Sequence, residues 1–255
     1  MKLPISHRHE IPFFHNKSKI DFQKDIYERY HEMVLKHTAL HLADELWGQY
    51  PMQAILDFGS EYLKDNNPKI ILEVGCGVGR WIADLAKLHP QSECWGIDYS
   101  YQMLKQANNF WIKGRDFELG MSHKGFAEKI HLSGSKLSNL EFGLAKASEL
   151  PFDDESQDIV CSSFLIDRLP DPAKGIIEMN RVLKPDGLLI IVTPLNFEHA
   201  DHWATFYPPE KLRQFLTDLG LEWLEWKENM RIEEPLDAQG NSVLWKCLAL
   251  VASKK

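Results

Sequence analysis

The residues best placed to do chemistry gather on one run, Ile70 to Trp81, which reads Ile-Ile-Leu-Glu-Val-Gly-Cys-Gly-Val-Gly-Arg-Trp. An apolar stretch that breaks into Gly75, Gly77 and Gly79 predicts a strand, a tight turn and a helix start. Alternate positions without a Cβ let the backbone turn sharply and let a ligand come close, and the following helix aims its free N–H groups at that spot. The spacing excludes the dinucleotide fingerprint G-x-G-x-x-G, which needs glycine at position 80, where this chain has Arg80. Asp98 ends the next predicted strand, nineteen residues after Gly79. A carboxylate there can accept hydrogen bonds from both hydroxyls of a ribose.

Glu73-Val74-Gly75-Cys76-Gly77-Val78-Gly79 matches the pattern E/D-x-G-x-G-x-G, and three more stretches follow in order. They are Gly96 to Ser100, Ala147 to Phe152, and Arg181 to Leu189 with its Lys184-Pro185-Asp186-Gly187 stop. On these motifs, which span about half the chain, the sequence resembles the class I S-adenosylmethionine-dependent methyltransferases. It is similar to the small-molecule branch that contains quinone and sterol methyltransferases. The resemblance implies S-adenosyl-L-methionine as cofactor, with Glu73, Gly75, Gly77 and Gly79 around its methionine part and Asp98 on its ribose. Tyr99 and Met103 would pack on adenine and Ala147 and Ser148 would lie at its edge, with Cys76 and Ser163 completing the set. The family fold is a Rossmann-like, doubly wound, seven-stranded and mostly parallel sheet with helices on both faces, its last strand antiparallel. One residue departs from the pattern. Relatives commonly carry an aspartate before Ala147 to accept from the adenine amino group, and this chain has Lys146, which cannot accept. Either Ser148 or a backbone carbonyl replaces that acceptor, or Lys146 points to solvent.

Such a cofactor carries a methyl group that is already electrophilic, so the protein must mainly hold donor and acceptor in line and exclude water. No nucleophilic side chain is required. Side chains that could act as a base or steer the acceptor are Asp167 after the fourth strand, His199 and His202 after the fifth, and Tyr27 near the N-terminus. For Asp167 the competing reading is a plain Asp167–Arg168 pair at a strand-helix junction. His37 and His41 stand one helical turn apart, but no third ligand is evident and a solvated helix face explains them, so no metal is assigned. The segment Ser162 to Pro170 lacks the Asn/Asp-Pro-Pro-Tyr motif of many amine-methylating relatives of nucleic acids and proteins. A small-molecule acceptor is therefore the expected partner.

The composition agrees with one large α/β domain. The chain has 255 residues, 44% hydrophobic and 26% charged, with a formal net charge of -8. That charge disfavours broad binding to nucleic acid. The main rival is an RNA or protein methyltransferase, supported by the basic residues Lys113, Arg115, His123, Lys124, Lys129 and Lys136; a non-catalytic cofactor-binding protein is the other. Cys76, Cys94, Cys161 and Cys247 show no close pair, as free thiols of a reducing compartment would, and no window has the apolar length of a membrane span. A cytoplasmic protein is expected, and its oligomeric state is not legible.

Helical spacing predicts a helix over 21–47, carrying Phe22, Ile26, Tyr30, Met33, Val34 and Leu40, and a second, shorter one after Pro51. Residues 1–68 thus read as an N-terminal helical cap that folds over the cofactor, and 69–255 as the methyltransferase domain. Within it, about 112–138 reads as an inserted polar segment, a surface loop in preference to a lid. Strands are predicted at 70–74, 93–98, 141–147, 157–163, 188–193, near 221–227 and at 243–252, alternating at first with helices. That alternation predicts ligand binding at the carboxyl ends of the strands, where the order reverses.

Overall fold

The computed structural model describes every residue except Glu45 and Asp65. The chain opens with a hairpin, β1 (Ser6–Arg8) and β2 (Ile11–Phe13), followed by three short helices, α1 (Lys19–Lys24), α2 (Ile26–Arg29) and α3 (His31–Leu42), and by α4 (Gln53–Leu63). The glycine-loop strand β3 (Ile70–Val74) leads into α5 (Arg80–Leu88), β4 (Glu93–Asp98) and α6 (Tyr101–Ala107), which a π-helical turn extends over Asn108–Ile112. A small pair, β5 (Phe117–Leu119) and β6 (Ile130–Leu132), precedes β7 (Leu140–Leu144) and β8 (Gln157–Ser163). Then come α7 (Pro172–Val182), β9 (Leu183–Thr193), α8 (Ala200–Phe206), α9 (Pro209–Asp218) and a long terminal hairpin, β10 (Leu221–Pro235) and β11 (Ser242–Lys254).

The main sheet has the order β1-β2-β7-β4-β3-β8-β9-β11-β10. From β2 to β9 neighbours are parallel, whereas β11 runs antiparallel to both β9 and β10. Nine strands therefore replace the seven expected. The seven from β7 to β10 follow the anticipated pattern, and the N-terminal hairpin adds two at the β7 edge, through the Phe13–Leu144 pairing and a bond from Phe14 N–H to the Leu144 carbonyl. Three-residue strands joined by a tight turn carry too few side chains to show a period. That turn places His9 and Glu10 at φ 51° and 70°.

Every residue of β3 after Ile70 is buried, and alternate side chains enter different cores. Ile71 joins the cluster with Trp81, Leu85 and Leu104, while Leu72 and Val74 pack with Ile176, Met179, Leu212 and Leu216. Helices α5 and α6 thus cover one face and α7 and α9 the other, as a two-sided parallel sheet requires. The first 68 residues do not form a core of their own. Val34, Leu40, Ile55 and Phe58 belong to the same buried cluster as Ile71 and Trp81.

The long helix expected over 21–47 is broken twice. The Asp25 carboxylate takes the N–H groups of Tyr27 and Glu28, ending one helix and capping the next, and Tyr30 is extended at φ -118°, ψ 100°. Asp side chains compete for backbone donors in this way, and helical spacing of apolar residues does not register it. In consequence Phe22, Ile26 and Tyr30 stay largely exposed. The inserted segment is also more ordered than a surface loop: β5 and β6 pair, and Leu119 and Met121 pack on Ala39 of α3.

Candidate active site

The glycine loop turns at the carboxyl end of β3, between β4 on one side and β8 on the other, which is the point where the strand order reverses. Gly79 is the N-cap of α5 at φ 75°, and a Cβ there would lie 2.5 Å from the Phe142 ring, so packing as well as conformation demands glycine. Gly77 differs. Its φ is 54°, and a Cβ would meet only the Met103 methyl at 3.6 Å, because that side of the loop borders open space.

The space is a cavity of ≈ 280 Å³. On the loop side its wall carries Glu73, Gly75, Cys76, Gly77, Asp98, Met103 and Ser163; on the opposite side stand Tyr27, His37, His41, Tyr50, Arg168 and Glu234. Asp98 ties the loops together, Oδ2 accepting from Gly77 N–H at 2.8 Å and Oδ1 from Ser100 N–H at 2.7 Å. Its exposed edge faces the cavity, and burial raises its pKa despite those two bonds. Glu73 is buried, accepts from Ile82 N–H in the first turn of α5 at 2.9 Å, and is pushed well above the usual carboxylate range by burial.

Apart from Tyr27, the opposite wall comes from residues to which the sequence reading gave no site role. His37 and His41 are half-buried and stacked at 6.1 Å, and loss of solvation lowers their pKa values to about 4 and about 3, so both are neutral at pH 7. His41 Nδ1 lies 2.9 Å from the Tyr50 hydroxyl, and the Tyr27 hydroxyl lies 3.4 Å from His37 Nε2. Burial and the charge of Asp98 push the Tyr27 phenol up to about 12, so it stays protonated. Arg80 is held by Asp44 and Asp84 and stacks on Tyr50. Glu234 accepts from Lys36 Nζ at 2.7 Å and from Trp245 Nε1 at 3.0 Å.

Other anticipated residues lie elsewhere. Tyr99 is flanked by His15, Lys17 and Lys146, with the Lys146 ammonium 5.4 Å from the ring centroid. Ala147 packs in the core on the α7 side and Ser148 follows it; neither borders the cavity, nor does Gly79. The Asp167 side chain is fully buried, accepts from Thr193 Oγ1 at 3.0 Å and faces Arg168 Nε at 3.4 Å, off the cavity wall. His199, the N-cap of α8, and His202 in its first turn meet edge-to-face with ring centroids 5.3 Å apart, also outside the cavity. The signal that could have found His37 and His41 was their i, i+4 spacing together with Val34 and Leu40, which places both on a buried helix face. Among the described residues no group of three or more His, Cys, Asp and Glu side chains could hold a metal ion, and no helix is long and apolar enough to cross a membrane.

An adenosyl cofactor suits this wall on two observations. Each Asp98 oxygen accepts one backbone N–H and keeps a lone pair free, and a Cβ at Gly77, unlike one at Gly75 or Gly79, would meet nothing closer than the Met103 methyl at 3.6 Å.

Comparison with known proteins agrees with this geometry. The model of the methyltransferase domain family matches residues 72–191. A demethylmenaquinone methyltransferase of Staphylococcus aureus is 35% identical over 120 residues, 47% of this chain and 40% of that one. A methyltransferase of Schizosaccharomyces pombe is 29% identical over 138 residues, 51% of this chain and 44% of that one. The chain thus spans less than half the length of these curated relatives. Among solved structures, a SAM-dependent methyltransferase of Methanosarcina mazei superposes with a TM-score of 0.51 at 22% identity, covering 76% of this chain and 96% of that one. The [4+2]-cyclase SpnF gives 0.55 at 17% identity, covering 81% and 82%. These likenesses establish the fold, and one fold serves more than one chemistry. The family match spans the glycine loop, Asp98 and the next three core strands, so residues 72–191 are similar to the methyltransferase domain family.

Proposed function

We propose that this chain transfers a methyl group from S-adenosylmethionine to a small-molecule acceptor. The observation that carries the reading is the single cavity in which the glycine loop, Asp98 and Met103 face Tyr27, His37 and Arg168. When bound, the cofactor supplies an electrophilic methyl group. The protein's part is to orient and enclose: Asp98 and the Gly77 backbone fix the donor, while the N-terminal helices wall off the acceptor side from water. Ile55, Leu56 and Met52 line that wall and are buried, which supports a capping role for the residues before β3, although part of that segment is sheet.

A macromolecular acceptor is less well supported. Of the basic residues in the inserted segment, Lys113 pairs with Glu10 at 2.7 Å and Lys129 with Glu118 at 2.5 Å, which leaves less free positive charge for a phosphate backbone. The match to a demethylmenaquinone methyltransferase also favours a small acceptor. The test is transfer of labelled methyl from S-adenosylmethionine into a cell extract separated by size. Label in the low-molecular-weight fraction is the expected result. Label confined to RNA or protein, or cofactor binding with no transfer at all, would overturn the proposal.

A further inference from the structure

We infer that the acceptor carries a group ionised at neutral pH, such as a carboxylate, and that Arg168 is the residue that selects it; the inference rests on the methyl-transfer reading above. Of the described charged side chains on the cavity wall, Arg168 is the cation held least. Arg80, the other, is clamped by Asp44, by Asp84 at 2.5 Å and by the His41 carbonyl at 3.0 Å. Arg168 has only the Asp167 carboxylate 3.4 Å from Nε and Glu198 at 3.8 Å from Nη1, and its side chain is 40% exposed.

The neighbours of Arg168 are suited to an anion as well. The Tyr27 phenol remains a donor, and His37 is uncharged with its Nε2 beside that phenol. Glu234, the carboxylate facing His37, is occupied by Lys36 and Trp245. The carboxylates left near the site, Asp98 and Glu73, are on the loop side and engaged with backbone N–H groups. A guanidinium with free N–H groups, a phenol donor and neutral imidazoles make a wall that favours an oxyanion and offers little to a cationic amine. On the sequence Asp167 could have acted as a base or steered a cationic acceptor, with a plain Asp167–Arg168 pair as the competing reading; in the structure Asp167 is buried against Thr193 and Arg168 lies on the cavity wall.

The test works with the acceptor still unidentified. The low-molecular-weight extract is passed over an anion-exchange resin at pH 7, and the retained and flow-through fractions are each offered with methyl-labelled S-adenosylmethionine. Label is expected from the retained fraction. Loss of one charge-assisted contact predicts that Arg168→Gln lowers kcat/KM for that fraction about 10- to 100-fold, chiefly through KM, with cofactor affinity unchanged and partial recovery in Arg168→Lys. A second readout is independent of turnover: in protein labelled with 15N-arginine, the Nε–H signal assigned to Arg168 moves on addition of the retained fraction and stays put with the flow-through. An acceptor in the flow-through, an unmoved Arg168 signal, or an Arg168→Gln enzyme as active as wild type overturns the inference and leaves the methyltransferase reading intact. If Arg168→Gln does not fold, the resin and the Arg168 signal still decide. No label from either fraction removes both.

Discussion

Replacing Asp98 by Asn separates the carboxylate's two jobs. In the structure Oδ1 and Oδ2 each accept one backbone N–H, from Ser100 at 2.7 Å and Gly77 at 2.8 Å, and each oxygen keeps a lone pair for a cofactor hydroxyl. Asparagine keeps one acceptor and turns the other into an NH₂ that faces a backbone N–H. One loop-to-loop link and one charge-assisted contact to the ribose are then lost together. Hydrogen bonds to a charged group are worth about 1.5–3 kcal/mol. Taking about 2 kcal/mol, the affinity for S-adenosylmethionine should fall roughly 30-fold. The fold should lose less, about 1 kcal/mol, because burial raises the pKa of this carboxyl and removing a buried charge returns part of that cost. Calorimetric titration with S-adenosylmethionine, alongside a denaturant melt of the same variant, measures both. A folded Asp98→Asn protein that binds the cofactor within twofold of wild type would refute the assignment of Asp98 to the ribose.

Acid should destabilise the fold from about pH 6.5 downward: His37 and His41 titrate near 6.5 when unfolded but near 4 and 3 when folded, so between those values the unfolded chain takes up protons that the fold refuses. The slope should approach about 1.4 kcal/mol per pH unit for each imidazole, and denaturant melts at pH 7 and pH 5 should show it flattened in His41→Gln. Gly79→Ala should cost several kcal/mol, from the positive φ and from a Cβ 2.5 Å from Phe142, and a fall in denaturant midpoint checks it; Gly77→Ala, whose Cβ meets nothing closer than 3.6 Å, should lose about 1–2 kcal/mol of stability but much more cofactor affinity. Lys146→Ala should leave cofactor affinity within a fewfold, since that ammonium lies over Tyr99 and offers adenine no acceptor; a large loss by calorimetry would show a direct contact. Removing residues 1–16 should weaken the fold itself, measured by thermal melt, because Phe13 pairs with Leu144 and the Phe14 ring fills the place where Gly143 lacks a Cβ; an unchanged melt would show that the N-terminal hairpin is dispensable.

The sequence alone settled what depends on residues close together in the chain. The strand, loop and helix around Gly75, Gly77 and Gly79 follow from an apolar run, from residues without Cβ and from a helix start, and Asp98 follows from the end of the next strand; none of these needs a distant contact. The core strands were legible for the same reason, since a strand covered on both faces must be apolar throughout. Only the tertiary structure could decide what faces the loop across the cavity. The chain brings Tyr27, His37, Arg168 and Glu234 there from four separate elements, and no period or spacing encodes that meeting. Whether a histidine at position 37 is solvated or buried depends on what packs against α3, namely the inserted β5–β6 pair and the β10–β11 hairpin, which lie about 80 to 210 residues further along. Asp167 and Arg168 make the point most directly. They are adjacent in sequence, and either could have faced the acceptor, but the bond from Thr193 holds Asp167 in the interior and leaves Arg168 on the cavity wall.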